Sequence, residues 1–253
     1  MGCLFDQLPK PAVIAHRGAS ALAPENTLAA FDLAITLQAD AIELDVQLTA
    51  DGHVVVFHDL TLQRTTNGVG NLHHKTLNEL KSLDAGVAFD TSYQGQRIPT
   101  LDETLASFGE KTFFNIELKN LTHPFNSLPE KVTQIVQDHN LESRVLLSSF
   151  NWFALIKAHH ILPTLPTGLL IKYPQGKVWL SGVFSALIPH QSVHISFKLL
   201  TKDMINAFHR SHRRVFAYTI NDPETIKKVA AWDIDGIFTD DPHLARQAIG
   251  RKD

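Results

Sequence analysis

A single cysteine, Cys3, in 253 residues excludes an intrachain disulfide, and with it any small scaffold stapled by such bonds. No apolar run approaches the roughly 20 residues that a membrane-spanning helix needs. Cationic excess is also missing. Lysines and arginines number 23 against 26 aspartates and glutamates, and they are scattered, so no basic face is offered to a nucleic-acid backbone. The opening residues, Met1 to Asp6, have neither the basic nor the apolar stretch of a secretory signal, and Asp6 stands where a myristoylation motif has Ser or Thr. Repeats and low-complexity tracts are absent. The expectation is a cytoplasmic protein with no nucleic-acid partner and no membrane insertion, its oligomeric state left open, a homo-oligomer included.

What is present is a hydrophobic content of 44%, enough over this length to bury one full core, so residues 1–253 are expected to form a single domain. Apolar runs bounded by turn residues predict eight strands: Val13–Ala15, Ala41–Asp45, Phe113–Leu118, Val145–Ser148, Thr167–Ile171, Ser192–Ser196, Arg214–Thr219 and Gly236–Thr239. Helix-period segments with start signals lie between most of them. Asn26 precedes Leu28, Phe31 and Ile35; Thr100 with Glu103 spells a capping box; Asp222-Pro223 and Asp241-Pro242 open the last two. Such alternation implies parallel βα units, in a closed (β/α)8 barrel or an open doubly wound sheet. Clusters beginning at His16, Glu43 and Glu117 fall at three different strand ends, which favours the barrel, where function gathers at the carboxyl ends of many strands.

One connection, from about residue 46 to 112, is too long for a plain βα loop and needs structure of its own. Asp51-Gly52 between two apolar triplets predicts a hairpin, and Thr76 with Glu79 a second capping box. A small insertion over the barrel mouth is expected, carrying His58 into the site.

Five polar clusters follow apolar runs: His16-Arg17-Gly18, Glu43-Leu44-Asp45, His58-Asp59, Glu117-Leu118-Lys119 and Asp235 to Asp240. Alternation along a strand puts Glu43 and Asp45 on one face, and Glu117 with Lys119 on one face. With Ala41, Ile42, Leu44 and Val46 read as turned to the covering helices, the carboxylates point to the barrel axis, where they repel one another unless a cation intervenes. Three oxygen ligands and no cysteine suit a hard divalent ion, Mg2+ or Ca2+, better than zinc. The chain holds 14 histidines, so His73, His74, His123, His159, His160, His194, His209 and His212 are read as structural. Asn26 is read as a helix cap, Asp240 and Asp241 as further cap candidates, and Gly18, Gly68 and Gly70 as turn glycines.

At these residues the chain resembles the glycerophosphodiester phosphodiesterase family. The clusters above, together with Pro24-Glu25-Asn26-Thr27, Thr65-Thr66-Asn67-Gly68 and Ile98-Pro99-Thr100-Leu101, occur in the family's order between residue 12 and about residue 242. The resemblance implies a (β/α)8 TIM barrel with an insertion after the second strand. It implies hydrolysis of glycerophosphodiesters, such as glycerophosphocholine or glycerophosphoethanolamine, to sn-glycerol 3-phosphate and an alcohol. By position it makes His16 and His58 the general acid/base pair, Glu43, Asp45 and Glu117 the ligands of one divalent cation, and Arg17 and Lys119 the contacts to phosphate. Tyr218 departs from the family's usual tryptophan, and Leu162 to His190 carry no motif that matches. Three carboxylates against a divalent ion and two cationic side chains leave a site of about +1, suited to a phosphodiester. Two other readings remain open: a phospholipase of C or D type on intact lipids, which calls for an exposed apolar or basic rim, and a non-catalytic barrel with a structural calcium.

Overall fold

The computed structural model describes residues 7–172 and 188–251. Nine strands make one sheet: β1 (Ala12–His16), β2 (Ala41–Leu48), β3 (Val54–Val56), β4 (Phe113–Leu118), β5 (Val145–Ser149), β6 (Thr167–Ile171), β7 (Ser192–Ser196), β8 (Arg214–Tyr218) and β9 (Gly236–Thr239). All except β3 are parallel, in the order β1, β9, β8, β7, β6, β5, β4, β2, and β1 pairs with β2 to close the ring. The chain is therefore a (β/α)8 TIM barrel.

Closure is written in the strand alternation. Val13, Ala15, Ile42, Leu44, Val46, Phe114, Ile116 and Leu118 face outward into clusters shared with the helices, while Ile14, Ala41, Leu146, Phe216 and Phe238 form a separate cluster inside. The interior grades from these apolar residues to a polar mouth at the carboxyl ends. His194, on β7, belongs to the apolar part: it lies between Phe216 and Phe238, and complete burial holds its imidazole down to about 3, a neutral core histidine.

The helices are α1 (Leu28–Thr36), α2 (Leu77–Lys81), α3 (Leu101–Phe108), α4 (Leu128–Asp138), α5 (Trp152–Ile161), α6 (Lys202–Arg210), α7 (Pro223–Ala230) and α8 (Pro242–Ala248), and all but α4 start at a side-chain cap. Thr76 and Thr100 form full capping boxes with Glu79 and Glu103, and Asp222 and Asp241 cap α7 and α8. Two assignments change. Thr27, not Asn26, caps α1, and Asp240 caps nothing, because Asp241 accepts the hydrogen bond from Leu244.

The predicted hairpin forms, β3 returning antiparallel on β2 with Gly52 at φ +79° in its turn. From there to Ile98 the chain builds a small core of its own from Val55, Phe57, Leu62, Leu72, Leu80, Ala85 and Ile98. Leu101, Leu105 and Phe108 of α3 pack instead in the barrel's own shell, so the separately cored segment is shorter than residues 46–112. The unmatched stretch from Leu162 to His190 contributes β6, and its residues 173–187 lie outside those described.

Gly18 and Gly70 have positive φ, whereas at Gly68 the question is space, and a Cβ there would require only the end of the Leu83 side chain, 2.5 Å away, to shift. Gly18 satisfies both demands: φ is +82°, and a Cβ would stand 2.7 Å from the backbone and Cβ of Ala30. Gly18→Ala is predicted to cost about 2–5 kcal/mol, about 1–2 from the left-handed backbone and about 1–3 from overpacking against α1, measured by chemical denaturation.

Candidate active site

The polar mouth is a cavity of about 230 Å3 lined by His16, Arg17, Glu43, His58, Asn115, Glu117, Lys119 and Lys172, with an apolar wall that includes Phe150, Leu170, Tyr218 and Phe238. His16, Arg17, Glu43, His58, Glu117 and Lys119 line it and Asp45 is buried beside Glu117, whereas Asp235, which opens the last of the five clusters, lies at the opposite end of β9, bonded to His209 and the Val215 amide. Strand register explains the convergence: Glu43 stands beside His16 on one side and Asn115 on the other, and Asp45 stands beside Glu117.

One carboxylate oxygen from each of Glu43, Asp45 and Glu117 lies within 4.8 Å of the others. Burial pushes Glu43 well above the usual carboxylate range, and repulsion from Asp45 and Glu117 adds to the rise. Burial likewise pushes Glu117 up to about 7, although Lys119 opposes it. Asp45 goes the other way. It is buried too, but Arg17 and Lys119 hold it ionised below the usual range. Two buried carboxyl groups and a third, Glu117, that is largely buried, two of the three reluctant to ionise, make a donor set that a hard divalent cation fits, because its charge lets all three ionise together.

The cations and hydrogen bonds are placed to the same end. Arg17 Nε is 3.3 Å from Asp45, and the Arg17 amide donates to Glu43 at 2.9 Å. Lys119 Nζ is 3.1 Å from Glu117 and 3.6 Å from Asp45. Asn26, freed from capping, sits at φ +57° and grips Asp45 twice: its Nδ2 donates to the carboxylate at 2.9 Å, and its Oδ1 accepts from the Asp45 amide at 3.3 Å. Only a residue with both a donor and an acceptor on a short arm does this, so Asn26 is a positioning residue for that carboxylate.

Each histidine has its own carboxylate. His16 Nδ1 is 2.7 Å from Asp240, and His58 Nδ1 is 2.6 Å from Asp59. In both, the pairing leaves Nε2 free to exchange a proton with whatever occupies the cavity. Burial lowers the His58 pKa, with Arg17 and Lys119 adding to the effect against the pull of Asp45, so the ring is neutral at pH 7. The backbone under His58 is held by Gln47, a fully buried β2 residue whose Nε2 donates to the carbonyls of Phe57 and Asp59, both at 2.8 Å. The histidines read as structural are absent from this cavity.

Several members were not legible as site residues. Gln47 continues the alternation of Glu43 and Asp45, a signal that was present in the sequence. Asn115 and Lys172 had weaker signals, alternation with Glu117 on β4 and a position just past β6. Near the same mouth, Leu121 and Phe125 on the β4–α4 loop are exposed, and Phe125 packs edge-on against the partly exposed Phe153 at 5.0 Å.

Comparison with known proteins agrees with this geometry. The model of the glycerophosphoryl diester phosphodiesterase family matches residues 16–244. A glycerophosphodiester phosphodiesterase of Caldanaerobacter subterraneus is 40% identical over 234 residues, 92% of this chain and 95% of that protein. Another from Bacillus subtilis is 33% identical over 250 residues, 91% and 84% of the two chains. Among solved structures, an Oleispira antarctica phosphodiesterase in complex with the product sn-glycerol-3-phosphate superposes with a TM-score of 0.88 at 32% identity, covering 98% of this chain and 99% of that one. With the motifs, the closed barrel and the converging acid, base and cationic side chains in agreement, this chain belongs to the glycerophosphoryl diester phosphodiesterase family and is an enzyme, a phosphoric diester hydrolase.

Proposed function

We propose that the enzyme cleaves small glycerophosphodiesters, glycerophosphocholine or glycerophosphoethanolamine among them, to sn-glycerol 3-phosphate and an alcohol, with His16 and His58 as the acid/base pair. The observation that carries this is the pair of carboxylate-bound imidazoles at the mouth of one cavity whose floor holds three carboxylates and two cations. The product seen on the Oleispira antarctica relative fits a cavity of this size and charge.

Phosphodiester cleavage needs a proton removed from the attacking hydroxyl, a proton delivered to the leaving oxygen, and charge on the non-bridging oxygens held throughout. His58, neutral at pH 7, is fitted to accept the first proton through Nε2, and His16 is fitted to supply the second. Asp59 and Asp240 fix the tautomers by accepting hydrogen bonds from Nδ1–H. Arg17 and Lys119 bind the phosphate oxygens, and Asn26 with Arg17 keeps Asp45 oriented. Glu43, Asp45 and Glu117 would hold one divalent cation, Mg2+ or Ca2+, which when bound supplies Lewis-acid stabilisation of the phosphate charge.

The attacking group is proposed to be the substrate's own glycerol hydroxyl, giving a cyclic phosphate that water opens. A substrate lacking that hydroxyl is predicted to resist cleavage, and its turnover at the normal rate would rule the cyclic route out.

A lipid with one acyl chain is a second candidate substrate, favoured by exposed Leu121 and Phe125 beside the mouth. One experiment separates the readings: release of glycerol 3-phosphate from glycerophosphocholine, and of choline from lysophosphatidylcholine, with and without chelator. Chelator-sensitive hydrolysis of the first substrate is expected, and hydrolysis of neither would rule out both substrate readings. In that assay His16→Ala and His58→Ala are each predicted to lower kcat by about 10²–10⁴-fold with an unchanged circular dichroism spectrum. Turnover close to wild type in either variant would remove that histidine from the chemistry.

A further inference from the structure

Arg64 lies outside the cavity on the insertion, half-exposed, and touches none of the groups assigned to substrate or metal. Its guanidinium nevertheless makes four hydrogen bonds to two carboxylates. Nη1 and Nη2 donate to Glu25 at 2.6 and 2.8 Å, and Nε and Nη2 donate to Asp59 at 2.6 and 3.0 Å. Each carboxylate is already committed to a site residue. Asp59 Oδ1 takes the His58 ring nitrogen, and Glu25 Oε1 takes Arg17 Nη1 at 2.9 Å.

From this geometry we infer that Arg64 is a positioning residue, which locks the insertion to the β1–α1 loop and thereby sets the orientation of His58 through Asp59 and of Arg17 through Glu25. The inference rests on the acid/base role of His58 proposed above. His58 is on the insertion and His16 is on the barrel, so their separation depends on how firmly one is tied to the other. Arg64 is the tie. Its own place is fixed by the buried Leu62 two residues earlier and by Thr66, whose hydroxyl donates to the Leu62 carbonyl at 2.7 Å. The alternating row Arg17, Glu25, Arg64, Asp59 is neutral, so removing Arg64 leaves two carboxylates beside a site that must accept an anion. A planar fork with two usable edges meets both partners at once, whereas a lysine presents one point charge to the pair.

The test is steady-state turnover of glycerophosphocholine at saturating divalent metal in Arg64→Ala, Arg64→Lys, His58→Ala and the Arg64→Ala/His58→Ala double variant, with thermal unfolding of each. Arg64→Ala is expected to lower kcat by about 10–100-fold, the usual effect of losing a residue that orients a reacting group. Arg64→Lys is expected to recover little of that loss, and millimolar guanidinium to recover part of it. In the His58→Ala background, Arg64→Ala is expected to have a clearly smaller effect on kcat, because one of the two groups it orients is gone and only the Arg17 branch remains. Arg64→Gln, which keeps one donor arm, gives the same reading if the alanine variant fails to fold. A kcat close to wild type in Arg64→Ala or Arg64→Gln, or an equal loss with and without His58, overturns the positioning role and leaves the role of His58 intact. Wild-type turnover in His58→Ala itself would instead bring down the acid/base assignment.

Discussion

Three carboxyl groups crowded into one barrel mouth cannot all carry charge unless positive charge stands among them. Much of the polar structure around the mouth answers that constraint. Arg17 and Lys119 keep Asp45 ionised, burial holds Glu43 and Glu117 partly back, and the remaining demand is for a hard cation. The same arrangement explains how a chain of net negative charge can bind a phosphodiester. Its cations form no basic face, but two of them, Arg17 and Lys119, are held at the point where the acidic groups need them, and a bound divalent ion would tip that point positive.

The second organising fact is that the two imidazoles belong to different parts of the molecule. His16 ends a barrel strand and is tied to Asp240 after β9, its neighbour in the ring. His58 is carried by a hairpin that folds back on β2, with its backbone bonded to Gln47 and its side chain to Asp59. The insertion is thus a mount for one of the two imidazoles rather than a simple cover, and it has a small core of its own around Leu62 and Leu72.

The barrel, its eight parallel strands and the faces of Glu43, Asp45 and Glu117 were legible because they rest on local rules: apolar runs, alternation and turn residues. Two capping boxes and two Asp-Pro helix starts were legible for the same reason. Asn26 was misread because Asn and Thr are both good caps and stand side by side, and nothing local says that Asn26 adopts a positive φ and turns to Asp45. Asp240 was ambiguous in the same way with Asp241. The roles of Glu25 and Arg64 could not be read at all, since their bond joins residues 39 apart through side chains alone and leaves no periodic trace. Lys172 follows a strand without a motif, so only the closed ring brings it to the mouth.

The account depends most on the ion. Crystals grown with Mn2+ and glycerol 3-phosphate, measured for anomalous scattering, test it directly. One manganese is predicted within about 2.5 Å of oxygens from Glu43, Asp45 and Glu117, with the phosphate between the two imidazoles. Saturating manganese with no peak among these carboxylates, or a phosphate bound away from His16 and His58, would contradict it.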